Sequence, residues 1–148
     1  MKALGFGLLL VGLAALAAAG ESGSYSIRLE VNGVEANKGT VRAALYSSEE
    51  SYMREPLTSH SAKVGLKDTV TIDFDDLPPG EYAITLYYDE NDNGKLDTAL
   101  FRIPKEKVAF SNNAWRRFGP AKWKDASFVL EDGDLTLSIR MTRIGKKK

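Results

Sequence analysis

The sequence contains no cysteine, so no disulfide framework and no cysteine-linked lipid can stabilise or anchor the chain. It has a single histidine, His60, set among polar residues in what we expect to be a loop, which excludes a metal centre built from several histidines. The formal net charge is +0 at pH 7, whereas nucleic-acid-binding proteins usually carry an excess of positive charge. We therefore expect no nucleic-acid partner and a core that is stable without cross-links.

Residues 1–20 have the pattern of a secretory signal peptide. Lys2 supplies the positive start, residues 4–16 are mainly apolar, and three alanines at 17–19 offer a cleavage site. The apolar run is short for a membrane-spanning helix, and no positive charge follows it directly. We expect export to the periplasm or the medium, and a mature chain, residues 21–148, that has no transmembrane segment.

Alternation of apolar and polar residues is the main structural signal in the mature chain. It predicts strands over residues 25–31, 40–46, 69–75, 81–88 and 134–142, the fourth of them central. Shorter strands are expected at 62–66 and 126–131, and Asp132-Gly133 predicts a two-residue hairpin between the last two strands. Ser47 and Glu50 have capping-box spacing, which favours a short helix through Met53.

These elements define the expected fold class. Six to seven short strands, regularly spaced turns and at most one short helix indicate an all-β protein, a single antiparallel β-sandwich. No repeat or low-complexity linker divides the sequence, so residues 21–148 are expected to form one domain.

Residues 89–97 read D-x-N-x-N-G-x-x-D directly after the predicted central strand. This matches positions one, three, five, six and nine of a calcium loop, although Leu100 replaces the usual glutamate at position twelve. The alternative is a solvated turn, since Asp, Asn and Gly are also common turn residues. We predict a structural Ca²⁺ site whose ligands are Asp89, Asn91, Asn93, the Lys95 main-chain carbonyl and Asp97.

Residues 101–124 are rich in cations interleaved with aromatic residues, and Glu106 is the acid among them. One interpretation is that the aromatic residues cover an open end of the sheet while the charged ends stay in water. The other is a surface for an anionic component of the cell envelope. Its residues would be Lys105, Lys107, Trp115, Arg116, Arg117 and Trp123.

Several motifs occur in a characteristic order: LPPGEY at 77–82, the acidic loop, IPKE at 103–106, FSNNA at 110–114 and RFGP at 117–120. In this order the sequence resembles an uncharacterised family of exported bacterial proteins, domain of unknown function family 2141. Residues 77–88 are also similar, more loosely, to prealbumin-like and carboxypeptidase-regulatory-like β-sandwiches. The resemblance implies a binding or structural module and supplies no catalytic residues. In one respect the sequence departs from the family pattern, because Arg102 replaces a glycine before Ile103-Pro104.

The function expected from the sequence is that of an exported, non-catalytic β-sandwich module of the cell envelope, stabilised by calcium. Two alternatives remain open: a hydrolase acting on envelope glycans or lipids, and a soluble carrier of an anionic ligand. The hydrolase would use acids near the 89–97 loop together with Arg116 or Arg117. A concave pocket lined by converging acids would favour it over the binding module.

Overall fold

The computed structural model describes residues 23–145. The predicted signal peptide at 1–20 lies outside the described residues. Within the described range the chain forms eight strands and one short α-helix: β1 (Tyr25–Asn32), β2 (Thr40–Tyr46), β3 (Thr58–Lys63), β4 (Thr69–Leu77), β5 (Gly80–Asp89), β6 (Val108–Phe110), α1 (Trp123–Ala126), β7 (Phe128–Leu130) and β8 (Leu135–Arg140). No helix in this part of the chain has the length and apolar composition needed to cross a membrane. The all-β prediction is confirmed.

The smaller of the two sheets has three strands in the order β4-β1-β8. β1 pairs antiparallel with β4, where Leu29 faces Ile72, and parallel with β8, where Val31 faces Ile139. The parallel pair departs from the purely antiparallel sandwich expected from the sequence. Its origin is the long connection between these strands, because only strands joined by a tight hairpin are forced to run antiparallel.

The larger sheet is antiparallel and has the order β3-β2-β5-β6, with β7 also paired to β5. β7 pairs with Gly80–Tyr82 of β5 and β6 with Thr85–Tyr87, so the two short strands follow one another along the same edge. The central position predicted for β5 is confirmed. The predicted count of six to seven strands is too low, because β6 has three residues and is too short to show a clear alternation.

The main apolar core lies between the two sheets, and alternation within the strands creates it. Ile27, Leu29 and Val31 of β1 have 0% exposure and belong to one cluster with Leu45 and Ile84 of the larger sheet. The outer face of the larger sheet carries a second apolar cluster, made of Tyr46, Ala83, Val108, Phe110, Ala121, Trp123 and Ala126. Only part of that outer face is covered by this second cluster.

The Asp132-Gly133 turn does not form the predicted hairpin. β7 pairs with β5 and β8 pairs with β1, so the turn carries the chain from one sheet to the other. Leu130 of β7 and Ile139 of β8 enter the same core from opposite sheets. Burial of these side chains therefore outweighs the local turn signal.

The helix predicted from Ser47 to Met53 is absent among the described residues. Hydrogen-bonded turns take its place, with the Tyr52 amide 3.1 Å from the Ser48 carbonyl and a φ of +61° at Met53 that ends any helical continuation. The short helix is instead α1, which directly precedes the predicted 126–131 strand and ends at its first residue. The prediction of at most one short helix is therefore confirmed for the described residues, although its location was wrong.

His60 lies on strand β3, whereas the sequence indicated a loop, because the strand begins four residues before the predicted position 62. Its ring stacks on Phe74 of β4 with centroids 4.7 Å apart, and its Nδ1 lies 2.7 Å from the Asp73 carbonyl oxygen. His60 therefore joins the edges of the two sheets, a structural role that requires no metal or substrate.

Candidate functional site

The acidic loop starts at the end of β5, where Asp89 is the last strand residue and has 0% exposure. Its Oδ1 accepts a hydrogen bond from the Asn93 amide at 3.0 Å, and its Oδ2 accepts one from the Gly94 amide at 2.9 Å. Gly94 has a φ of +83°, the left-handed conformation that glycine adopts without steric cost. The Asp89 carboxylate thus organises the turn from inside the loop.

The other predicted ligands converge on Asp97. The Asn91 Nδ2 donates to Asp97 Oδ2 at 2.7 Å, and the Asn93 Nδ2 donates to Asp97 Oδ1 at 3.0 Å. For Lys95 the contact found is that of its amide, which donates to the Asn93 Oδ1 at 3.0 Å. The structure therefore gathers Asn91, Asn93 and Asp97 on one side of the loop and Asp89 beneath it.

Two residues of this site were not predicted from the sequence. Arg42 of β2 donates from its Nε to the Asp89 Oδ2 at 3.0 Å. Glu106, which has 5% exposure, accepts from the Glu90 amide at 2.9 Å and from the Asp97 amide at 3.0 Å, so its carboxylate ties both ends of the loop. The sequence offered one indication for Glu106, because it is the one acidic residue in the otherwise basic segment 101–124.

The electrostatics of Asp89 follow from these contacts. Burial raises the pKa of the Asp89 carboxyl, but the hydrogen bonds from the Gly94 amide, the Arg42 guanidinium and the Asn93 amide outweigh burial and leave the pKa below its ordinary value. Asp89 is therefore a charged group that the surrounding donors stabilise inside the fold.

A hard cation at this loop would need oxygen atoms whose lone pairs are free. A carboxylate has about four lone-pair sites, and the contacts from Asn93, Gly94 and Arg42 leave one of them on Asp89. Asp97 and the two asparagine side chains already lie within hydrogen-bonding distance of one another. No group of three or more Asp, Glu, His or Cys side chains within residues 23–145 is arranged to hold a metal. A cation here would have to replace the hydrogen bonds that Asn91 and Asn93 donate to Asp97, and the Arg42 guanidinium would oppose it.

The predicted basic and aromatic residues do not form one surface. Trp123 is buried and packs edge-on against Tyr52 at 5.7 Å, so it does not contribute to an exposed surface. The Lys107 ammonium bonds the Gly33 carbonyl oxygen, and Lys105 lines a polar crevice beside the acidic loop. Trp115, Arg116 and Arg117 are exposed. Two of these three, Trp115 and Arg117, line a groove of about 900 Å³ together with Phe118 and Arg140.

A second groove, of about 870 Å³, lies on the outer face of the larger sheet, and we call it the sheet groove. Strands β2 and β5 supply Ala44, Thr85 and Tyr87, while Phe101 and Pro120 come from the two long connections beside the sheet. The lining also includes Met53, Leu96, Ile103, Phe110, Gly119 and Ile144. It therefore reaches both the acidic loop and the 117–120 motif. No Asp or Glu among the described residues lines it.

The fold and these sites define a class of protein: an all-β domain of two sheets with an acidic loop at a strand end and an apolar groove on its outer face. Residues 29–138 match the family described as "Uncharacterized protein conserved in bacteria (DUF2141)", and the chain belongs to this family. No curated protein and no solved structure matches the chain. The family expected from the sequence is confirmed, whereas the looser likeness to prealbumin-like and carboxypeptidase-regulatory-like sandwiches stays a prediction.

Proposed function

We propose that this protein is an exported, non-catalytic ligand-binding module of the cell envelope, and that the sheet groove is its binding site. The observation that carries the proposal is the groove itself, since concave, mainly apolar pockets of about 300–1,000 Å³ are typical small-molecule sites. Phe101 and Ile103 remain 94% and 48% exposed beside it, although large apolar side chains gain free energy when a ligand covers them.

The composition of the groove favours binding over hydrolysis. A glycoside hydrolase needs two carboxyl groups that face the scissile bond, and the groove lining contains neither Asp nor Glu. The nearest buried acids hold backbone amides: Asp89 those of Asn93 and Gly94, and Glu106 those of Glu90 and Asp97. Both carboxylates already accept hydrogen bonds from loop amides, which supports a carrier or binding role over hydrolysis.

The groove proposal is tested with a neutral apolar dye, N-phenylnaphthylamine, whose fluorescence rises in an apolar site. We expect the protein to bind it and Ala44→Trp, which places an indole on the groove floor, to weaken binding by roughly tenfold or more. The matched control is Thr71→Trp, on an exposed position of β4 in the other sheet. Equal binding by both tryptophan variants, with melting temperatures unchanged, would contradict the proposal.

The acidic loop adds a proposed Ca²⁺ site with a structural role. Asp89, Asn91, Asn93 and Asp97 would hold the ion with the Lys95 carbonyl. The proximity of Asn91, Asn93 and Asp97 supports this assignment. Two carboxylates are few for calcium and Arg42 opposes the ion, so we expect a dissociation constant of roughly 10⁻⁴ to 10⁻³ M.

Calcium should raise the melting temperature, because it binds the folded loop and not the unfolded chain. At ten times the dissociation constant the stabilisation is about 1.4 kcal/mol, which corresponds to several degrees for a domain of this size. Asp97→Ala should remove this increment, and Asp92→Ala, a change to a loop acid outside the calcium pattern, should keep most of it. A melting temperature that responds neither to millimolar calcium nor to a chelator would show that the loop is only a turn.

Export and an anionic partner belong to the same proposal. The pattern of residues 1–20 supports export. The exposed cations Arg116 and Arg117 beside Trp115 support an anionic envelope component as the partner, because arginine and aromatic side chains together recognise anionic groups.

A further inference from the structure

Charge is distributed unevenly around the sheet groove. Two arginines, Arg42 and Arg102, line it, and no acid does so among the described residues. The Arg42 charge is matched, because its Nε lies 3.0 Å from the Asp89 Oδ2. The Arg102 side chain forms no ion pair and no hydrogen bond within residues 23–145. The groove therefore presents one arginine whose charge is unmatched.

The backbone around Arg102 places this cation beside apolar side chains. Leu100–Arg102 form a 3₁₀ turn in which Phe101 and Arg102 have φ values of +59° and +57°. Hydrogen bonding holds this turn, since the Ala99 amide donates to the Ile103 carbonyl at 2.8 Å. Left-handed residues other than glycine persist only where the surrounding structure fixes them, and they are frequent at binding sites. The turn leaves Leu100 and Phe101 81% and 94% exposed next to the cation.

We propose that the sheet groove binds a monomeric, single-chain amphiphile with a carboxylate head group. Its apolar chain would lie along the outer face of β2 and β5, and its carboxylate would bind the Arg102 guanidinium. This inference rests on the proposed binding function and adds the head group. A guanidinium binds a carboxylate through two parallel hydrogen bonds, which fixes the orientation of the ligand as well as its affinity.

Charge complementarity selects this ligand over a neutral one. An anionic head group meets no carboxylate in the lining and finds in Arg102 a donor without a protein partner. We favour a single molecule over a membrane surface because the lining includes Thr85 and Tyr87, which belong to the sheet itself, as well as the exposed Phe101. A bilayer surface cannot reach the floor of a groove, whereas one chain can.

The experiment compares dodecanoate with dodecanol, which share a chain and differ in charge, as competitors of N-phenylnaphthylamine at neutral pH below micellar concentrations. We expect dodecanoate to bind roughly tenfold more tightly, the scale of one charge-assisted contact. Arg102→Gln should abolish this preference, and Arg102→Lys should keep part of it. The matched control Arg28→Gln removes an exposed arginine from β1 of the other sheet, which lines neither groove, and should leave the preference unchanged.

The outcomes separate the head-group inference from the binding function. Equal affinities for acid and alcohol, or an equal loss in Arg102→Gln and Arg28→Gln, would overturn the carboxylate assignment while dye binding still supports the groove. Binding only to anionic vesicles, with no displacement of dye by free dodecanoate, would overturn it in favour of a membrane surface. A protein that binds neither the dye nor either amphiphile would overturn both proposals.

Discussion

At the scale of single residues, the Asp89–Arg42 pair shows what spacing predicts and what it misses. The pattern at 89–97 identified Asp89 as the first residue of an organised loop, because its contacts with Asn93 and Gly94 are local. Arg42 lies on a neighbouring strand 47 residues away, and only the pairing of β2 with β5 brings it to the carboxylate. Such a partner has no signal in the sequence.

The lowered pKa of Asp89 predicts a pH-dependent contribution to stability. The unfolded-state pKa is about 3.9 and the folded-state pKa lies below it. The ionised carboxylate therefore stabilises the fold above about pH 4, and this stabilisation is lost as the pH falls through the folded-state pKa. Asp89→Asn should lower the free energy of unfolding by about 2 kcal/mol at pH 7, through loss of hydrogen bonds to a charged group.

Denaturant titrations at several pH values check this prediction. The difference between the unaltered protein and Asp89→Asn should shrink as the pH falls from about 4 through the lower folded-state pKa, below which both carry a neutral side chain at position 89. Asp92→Asn is the control, since Asp92 is exposed and bonds Thr40 at the surface. A difference that is constant from pH 7 to pH 3 would mean that the charge of Asp89 does not stabilise the fold.

Arg102 is a residue where the family resemblance was informative. The resemblance to the family implies a glycine before Ile103-Pro104, and a glycine there would indicate a left-handed backbone. The structure has that conformation, with a φ of +57°, even though an arginine occupies the position. The left-handed conformation therefore forms at Arg102 without a glycine.

At the scale of elements, the FSNNA segment at 110–114 joins parts of the fold that lie far apart in sequence. Ser and Asn are common turn residues, yet Asn112 donates to the Ser127 carbonyl at 2.8 Å and Asn113 bonds the backbone of β8 at Ser138 and Arg140. Both asparagines have a positive φ, which asparagine adopts more readily than most residues. The composition revealed the turn but not its distant partners.

Ser111 hydrogen-bonds β5 between the segment paired with β6 and the segment paired with β7. It is fully buried, and its hydroxyl accepts from the Ile84 amide at 2.9 Å and donates to the Ala126 carbonyl at 2.5 Å. Ser111→Ala should lower the free energy of unfolding by about 1–3 kcal/mol, because it leaves the buried Ile84 amide without its partner. Chemical denaturation measures this loss.

The control for Ser111 is Ser61→Ala on β3, where the serine is exposed. We expect that change to stay within about 0.5 kcal/mol of the unaltered protein, as is usual for surface positions. Similar losses in the two variants would show that the Ser111 hydroxyl does not support β5.

At the scale of the whole molecule, the sequence predicted the inner face of the sandwich far better than the outer one. Alternation marks the buried side of β1, β4 and β5 because the core is continuous along each strand. The sheet groove combines the outer side of β2 and β5 with the segments around Phe101 and Pro120. Those two segments show no periodicity in the sequence. A concavity assembled in this way exists only after the sheet has formed.

The parallel pairing of β1 with β8 has a consequence for the time course of folding. β1 is the first strand in the described chain and β8 the last, so the smaller sheet cannot close until the whole domain is available. Contacts between such distant segments slow folding, typically to the order of milliseconds to seconds for β-rich domains. Until β8 arrives, the Ile27–Asn32 edge of β1 offers unpaired backbone groups to other chains. Aggregation competes with folding most strongly during that interval.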